Sequence, residues 1–219
     1  MKVDWSTFWP RIVEATGETI TMVIGTLIFS SIVGIALGLL LYVTREGNIL
    51  ENRWVAGILN FFINIIRPIP FIILLFVLSP VTREVVGTTI GTAAAVFPMT
   101  IAASFVVARV VENNLVSIDP GVIEAAEAMG SSSVEIIFRV YLKEGLPSII
   151  RVSSVTIVNL IGLTTMAGAI GGGGLGNLAI ARGYNRNQAD VTLVSTAVIL
   201  IIVFASQFIG NRLVKKTSH

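Results

Sequence analysis

Two carboxylates, Glu124 and Glu127, lie three residues apart in the segment Asp119-Pro-Gly-Val-Ile-Glu-Ala-Ala-Glu-Ala-Met-Gly130. Paired acids held in a cleft perform general acid–base chemistry. The punctuation around this pair indicates something else. Asp119 is a good N-cap, Pro120 suits the first helical position, and Gly130 is a C-terminal stop. The segment is therefore a short helix carrying Glu124 and Glu127 on one face, with Val122, Ala126 and Met129 on another. Ser132 and Glu135 form S-x-x-E, a capping box that opens a second helix through Ile136, Ile137 and Val140. An isolated helix of about ten residues is marginal in water. This one packs either on its own loop and the membrane surface, or on a soluble partner.

Gly171, Gly173 and Gly176 satisfy G-x-G-x-x-G, with Asp190 beyond. A dinucleotide site needs a strand before the glycines and a helix after them. Here they follow a long apolar helix pattern, so Gly171, Gly172, Gly173 and Gly174 read as a helix break whose exposed backbone lines a cavity. Arg67, with Pro68 and Pro70, is the one charge inside a long apolar stretch. An Arg at mid-bilayer costs about 2.5–3.5 kcal/mol. Either residues 54–66 form an interfacial entry helix, or the span is long and tilted and Arg67 faces a wet cavity or a partner chain; binding of a substrate carboxylate is a further alternative for Arg67. Met99, Ser104, Asn159, Thr164, Thr165 and Met166 suit a neutral zwitterion with an apolar tail, and equally suit hydrogen bonding between helices. There is no Cys, and the single His, His219, is the last residue. No catalytic group and no metal-ligand set is expected.

The elements that position these residues follow from composition. The chain has 219 residues, 54% hydrophobic and 13% charged, with a net charge of +2. A soluble domain carries about 25% charged residues. The net charge is too small for a nucleic-acid footprint, and strand-like alternation is absent, which excludes a β-barrel. An all-α polytopic membrane protein remains, a single domain over 1–219 with a lipid bilayer as its solvent. Its charge-poor stretches are long enough for five spans, at about 20 residues each: 19–43, 57–80, 86–108, 152–175 and 191–211. Residues 109–151 form one large loop.

With five spans, Lys2, Arg11, Arg83, Arg182 and Arg186 share one side. Arg45, Arg53, Arg109, Arg139, Lys143, Arg151, Arg212, Lys215 and Lys216 share the other. The excess of positive charge marks the cytoplasm, so the N-terminus is expected outside and the C-terminus inside. Trp5, Phe8, Trp9, Ile12 and Val13 recur at helical spacing. They form either a surface helix or an amphipathic lead-in to the first span, starting near Thr7 so that Pro10 falls in its first turn. Gly34 with Gly38, and Gly87 with Gly91, each make G-x-x-x-G, a close-packing signal between or within chains.

Glu124-Ala125-Ala126-x-x-x-Gly130, followed nine residues later by Val140-Tyr141-Leu142, resembles the E-A-A-x-x-x-G-x(9)-I-x-L-P signature of ABC importer permeases. Lys143 stands where that pattern has Pro, and Leu146-Pro147 is expected to supply the break instead. The segments Arg67 to Leu75, Arg109 to Asn114, Gly168 to Gly176 and Arg182 to Asn185 are similar to amino-acid permeases of this type, above all those that import methionine. The resemblance implies a type I importer fold in the bacterial inner membrane. It implies a second copy of this chain, a dimer of cytoplasmic ATPases holding ATP–Mg, an extracytoplasmic substrate-binding lipoprotein and an amino-acid cargo. Another amino acid or a short peptide is the alternative cargo. Glu124, Ala125, Ala126, Met129 and Gly130 would be the coupling residues that meet the ATPase.

The chain's own residues agree with that division of labour. It lacks G-x-x-x-x-G-K-[ST], so it has no phosphate loop. It is read as a transport subunit, not an enzyme, with no cofactor of its own. A secondary transporter places titratable groups in its spans as proton relays, and an intramembrane enzyme needs Cys, His or paired acids there. These spans offer neither. Uptake is accordingly expected to require ATP and to ignore a proton gradient. Transport driven by a pH step in ATP-free vesicles would overturn this.

Overall fold

The structure, a computed structural model, describes the backbone of residues 5–217, and their side chains except those of Thr7, Pro120, 143–155 and 213–217. Lys2 and His219, and the side chains of Lys143, Arg151, Lys215 and Lys216, lie outside the described residues. All described regular elements are helical. α1 (Trp5–Val43) is one continuous helix. α2 (Arg53–Ile66) and α3 (Phe71–Val86) follow, then α4 (Thr92–Val116) and the short α5 (Pro120–Ala128). α6 (Ser133–Glu135) runs through a π-helical turn, Ile136–Tyr141, into α7 (Leu142–Ala169). α8 (Gly174–Asn177) continues as a second π-helical segment, Leu178–Tyr184, before α9 (Ala189–Thr217).

Phe8–Val43, Thr92–Val116 and Ala189–Arg212 are each long and apolar enough to cross a bilayer. Two further helix pairs are long and apolar enough only when taken together, and each is bent at a break. α2 and α3 are bent by 115° at residues 67–70, and Thr156–Ala169 meets Gly174–Tyr184 at 46°. The expected spans 57–80 and 152–175 are therefore not single helices. Pro68 and Pro70 remove backbone donors and disfavour the helical region for the residues before them, which opens the first break. Successive glycines open the second. The expected helical break at Leu146-Pro147 does not occur, because α7 runs through it.

The two G-x-x-x-G patterns have opposite fates. Gly34 and Gly38 bring α1 against α4. A Cβ at Gly34 would lie 2.6 Å from Val107 Cβ, and one at Gly38 would strike the carbonyl of Ala108 and lie 2.7 Å from Val111 Cβ. The contact is within one chain. Gly87 and Gly91 are not in a helix interface. Gly87 ends α3 at φ 84° and Gly91 opens α4 at φ 96°, with nothing near either Cβ position. They are turn glycines, placed where L-side chains are strained.

The amphipathic N-terminal segment is the start of α1, with Pro10 inside the helix beyond its first turn. Phe8 and Ile12 are buried, whereas Trp5, Trp9 and Val13 are exposed. Hydroxyls along α1 turn back onto their own helix: Thr16 to Ile12 O at 2.7 Å, Thr19 to Ala15 O at 2.9 Å, Thr21 to Gly17 O at 2.8 Å. This satisfies polar side chains without water. The central core joins α1, α3, α4 and α7 through Met22, Phe71, Leu75, Met99, Leu160 and Ile161.

Overpacking a close contact costs about 1–3 kcal/mol. Gly34→Leu is expected to lower the thermal unfolding midpoint in detergent, while Gly17→Ala, where a Cβ meets open space, leaves it nearly unchanged. Equal midpoints for the two would refute the α1–α4 contact.

Candidate functional site

The acid-bearing loop folds as a capped module below the bundle. Asp119 Oδ1 accepts from Gly121 N at 2.8 Å, fixing the start of α5. At its end Gly130 adopts φ 79°, and two carbonyls of the last turn are satisfied: Gly130 N donates to Glu127 O at 2.9 Å and Ser131 N to Ala126 O at 3.1 Å. A left-handed residue in this position favours glycine. The capping box forms as expected. Ser132 N donates to Glu135 Oε2 at 3.0 Å, and Glu135 N donates to Ser132 Oγ at 3.3 Å. These bonds from Ser132, and then Arg139, hold the Glu135 carboxyl below the usual range.

The faces of α5 are not divided as expected. Ala126 is buried, but Val122 and Met129 are exposed, Met129 at 79%. Ala126 packs into a cluster with Tyr42, Val43, Val111, Ile136 and Tyr141, with Ile123 beside it. Glu124, Ala125 and Glu127 also face outward. A nine-residue helix is thus held by one alanine-sized contact and presents Glu124, Ala125 and Met129 to whatever lies below. The π turn aims Tyr141 inward. Its hydroxyl donates to Asn48 Oδ1 at 3.2 Å, and its ring meets Tyr42 edge-on at 5.0 Å. Burial pushes the Tyr141 phenol up. Tyr42 belongs to the C-terminal end of α1, so the module and the longest helix share one aromatic joint.

At the opposite end the glycine turn is clasped on several sides. Gly171, Gly173 and Gly174 have positive φ values of 95°, 82° and 76°. Gly91 N donates to Gly171 O at 2.9 Å. Glu18 Oε2 accepts from Gly174 N at 2.6 Å, and Thr19 Oγ1 accepts from Leu175 N at 2.9 Å. Asn177 Nδ2 donates to Gly168 O at 2.9 Å. A Cβ at Gly173 would lie 2.8 Å from Glu18 Oε2, and one at Gly172 2.8 Å from Ala167 O. No strand occurs among the described residues, so these glycines cap a broken helix and do not form a dinucleotide loop.

The six polar or sulfur-bearing span residues separate into two groups. Met99, Ser104 and Thr164 are buried. Ser104 bonds to Thr100 O at 2.7 Å and Thr164 to Ile161 O at 2.7 Å, so they serve packing. Thr165 is half-buried and bonds to the same carbonyl at 3.2 Å. Asn159 and Met166 are exposed. Arg67, at the α2–α3 joint, lines a cavity bordered by α3, α4 and α7. It combines features of both expectations: residues 53–66 are a separate helix, yet Arg67 faces a cavity.

The family model for "Binding-protein-dependent transport system inner membrane component" matches residues 34–219. The chain belongs to that family. A "Probable D-methionine transport system permease protein MetI" of Pasteurella multocida is 45% identical, covering 96% of this chain and 99% of its own. The "Methionine import system permease protein MetP" of Bacillus subtilis is 46% identical over 78% of both chains. Among solved structures, an inward-facing conformation of the MetNI methionine ABC transporter aligns with TM-score 0.95 at 38% identity, over 99% of this chain and 100% of that one. An amino acid ABC transporter solved with histidines aligns at TM-score 0.81 and 15% identity, a likeness of fold alone. The type I importer permease fold and the inner-membrane setting expected above are both upheld.

Two site features of this inner membrane component were not anticipated. Glu18 and Thr19 stand at the edge of the first charge-free run, where Glu18 serves as a mere boundary when charges are mapped. The available signal is an acid abutting a span, since a carboxylate there needs donors. The second is Arg109. Its guanidinium pairs with Glu112 at 2.5 Å and donates to Asn60 Oδ1 at 2.9 Å and Asn64 Oδ1 at 3.0 Å, tying α2 to α4. Asn60 and Asn64 are four apart on an otherwise apolar helix, which is the trace they leave in sequence.

A hydrogen bond to a charged acceptor contributes about 1.5–3 kcal/mol. Glu18→Leu is therefore expected to lower the thermal unfolding midpoint of the purified protein, and Glu18→Gln, which keeps an acceptor oxygen, to lower it less. A midpoint for Glu18→Leu equal to wild type would remove the clasp.

Proposed function

We propose that the chain is the permease of an ATP-driven importer of methionine, working as two copies docked on separate ATPase subunits and fed from outside by a substrate-binding lipoprotein. The observation that carries this reading is α5: a capped helix anchored through Ala126, with Glu124, Ala125 and Met129 turned outward and Gly130 left-handed behind them. Support comes from the full-length likeness to the MetNI transporter and from relatives named for methionine import. ATP–Mg belongs to the ATPase partner, since this chain has no phosphate loop.

In this reading α5 lies in the cytoplasm, beside the larger share of basic residues, and the N-terminus is outside. Closure of the ATPase pair on ATP pushes α5. Ala126 and the Tyr42–Tyr141 joint pass that displacement to the inner ends of α1 and α4. The clasp of Glu18 and Thr19 keeps the outer glycine turn attached to α1 while the inner ends move. Substrate crosses between the two copies, past the exposed Asn159 and Met166. Gly171 to Gly174 and the α2–α3 joint at Arg67, Pro68 and Pro70 are the breaks about which helices change angle.

The test is uptake of radiolabelled methionine by proteoliposomes containing the permease, its ATPase and its binding protein. ATP-dependent accumulation is expected, and its absence would end the methionine assignment. Glu124→Lys and Gly130→Pro are expected to cut uptake about tenfold or more, a loss of about 1.4 kcal/mol of coupling, while the protein still inserts and the ATPase still turns over. Uptake unchanged in both variants would sink the role given to α5.

A further inference from the structure

The cavity beside the α2–α3 joint has a volume of about 260 Å³. On this measure one water needs roughly 10–15 Å³, so the cavity has room for several waters or a small amino acid. It lies beside Ala102, Ala103 and Val106, about 15–21 Å along α4 from its start at 1.5 Å per residue, near the middle of that helix. Three polar side chains converge on it: Arg67, Thr156 and Asn159. The remaining walls are apolar, with Phe71, Leu74, Leu160 and Leu163 among them.

None of the three polar groups has a hydrogen-bond or ion-pair partner among the described residues. This sets Thr156 apart from Thr164, Thr165 and Ser104, whose hydroxyls bond back to their own helices. Thr156 is only 6% exposed, so what exposure it has is toward the cavity. Arg109, the other Arg at the α2–α4 contact, is satisfied by Glu112, Asn60 and Asn64. No carboxylate lines the cavity among the described residues. Arg67 and Asn159 are exposed along the cavity, the guanidinium has no counter-ion there, and the planar fork of Arg matches a carboxylate in two hydrogen bonds.

We propose that this cavity is a substrate station in each permease copy, holding an α-amino acid with an apolar side chain. Arg67 takes the carboxylate. The Asn159 carbonyl and Thr156 hydroxyl oxygens accept from the ammonium group. Phe71, Leu74, Leu160 and Leu163 enclose the tail. The assignment rests on the methionine-import reading and adds to it the place where the chain grips its cargo.

The chain has no Cys, so Val106→Cys, on the cavity wall and 37% exposed, gives the permease a single thiol. In the detergent-purified permease–ATPase complex, maleimide labelling of that thiol is followed by mass spectrometry of the permease chain. Millimolar methionine is expected to slow labelling. 4-Methylthiobutanoate, which keeps the carboxylate, is expected to compete, and 3-methylthiopropylamine, which lacks it, is not. Adding Arg67→Ala is expected to raise the protecting methionine concentration about tenfold or more, the loss of a charge-assisted pair. Asn159→Leu in the same background provides a second test should Arg67→Ala fail to assemble. Labelling unaffected by methionine, protection undiminished by both substitutions, or an amine that protects as well as the acid would each overturn the station. If the wild-type complex accumulates methionine in proteoliposomes and the Val106→Cys thiol is unprotected, only this assignment is refuted; a wild-type complex that accumulates none refutes the transport reading itself.

Discussion

In hydrocarbon a peptide N–H or C=O has no water to turn to, so every break in a spanning helix must be repaired from within the protein. The chain contains two such breaks, and much of its polar inventory is devoted to the second. The glycine turn between α7 and α8 gives up helical bonds. Glu18, Thr19, Asn177 and Gly91 replace them from α1, from α8 and from the turn before α4. The turn is therefore a junction through which three parts of the fold are held in register. It also explains why a carboxylate is tolerated so near a long apolar run: Glu18 meets the Gly174 N–H at the start of a helix, where negative charge is favoured.

At the other end the same economy applies with different means. α5 is too short to be stable alone, and its anchoring is slight: Ala126, half-buried Ile123, and caps at both ends. The Tyr42–Tyr141 pair and the Arg109 cluster are stiffer joints. The first connects the C-terminal end of α1 with the π turn and the second connects α2 with α4, so the α5 module is joined to the bundle through packed side chains.

Much of this was legible in sequence because the bilayer imposes a simple rule on charge. Long runs without Asp, Glu, Lys or Arg located the apolar helices, and Asp119, Pro120, Gly130, Ser132 and Glu135 punctuated the α5–α6 module by local chemistry alone. What escaped depends on partners distant in sequence. Gly87 and Gly91 have the spacing of a packing motif, and only their positive φ values show that they are turns. Ala126 is buried while the larger Met129 is exposed, which reverses the ordering by size and follows from the close approach of the Tyr42 and Tyr141 rings. Pro68 and Pro70 announced a break, but the tie that holds α2 on α4, from Arg109 to Asn60 and Asn64, joins residues 49 and 45 apart in sequence.

The π turn at Ile136–Tyr141, where the Leu142 N–H reaches back to Ile137 O, has a consequence far from where it sits. Such a turn accommodates one residue more than an α-helix would, and each residue is worth about 100° of rotation. The azimuth of everything downstream on α7 is therefore offset from the module below. Asn159 points where it does because of a phase shift introduced nearly five turns earlier. Residues on α7 keep their bearing only as long as that surplus residue is retained, which makes the turn a zero mark for the whole helix. A single insertion or deletion between Ser133 and Leu142 would re-aim α7 without changing one residue of α7 itself.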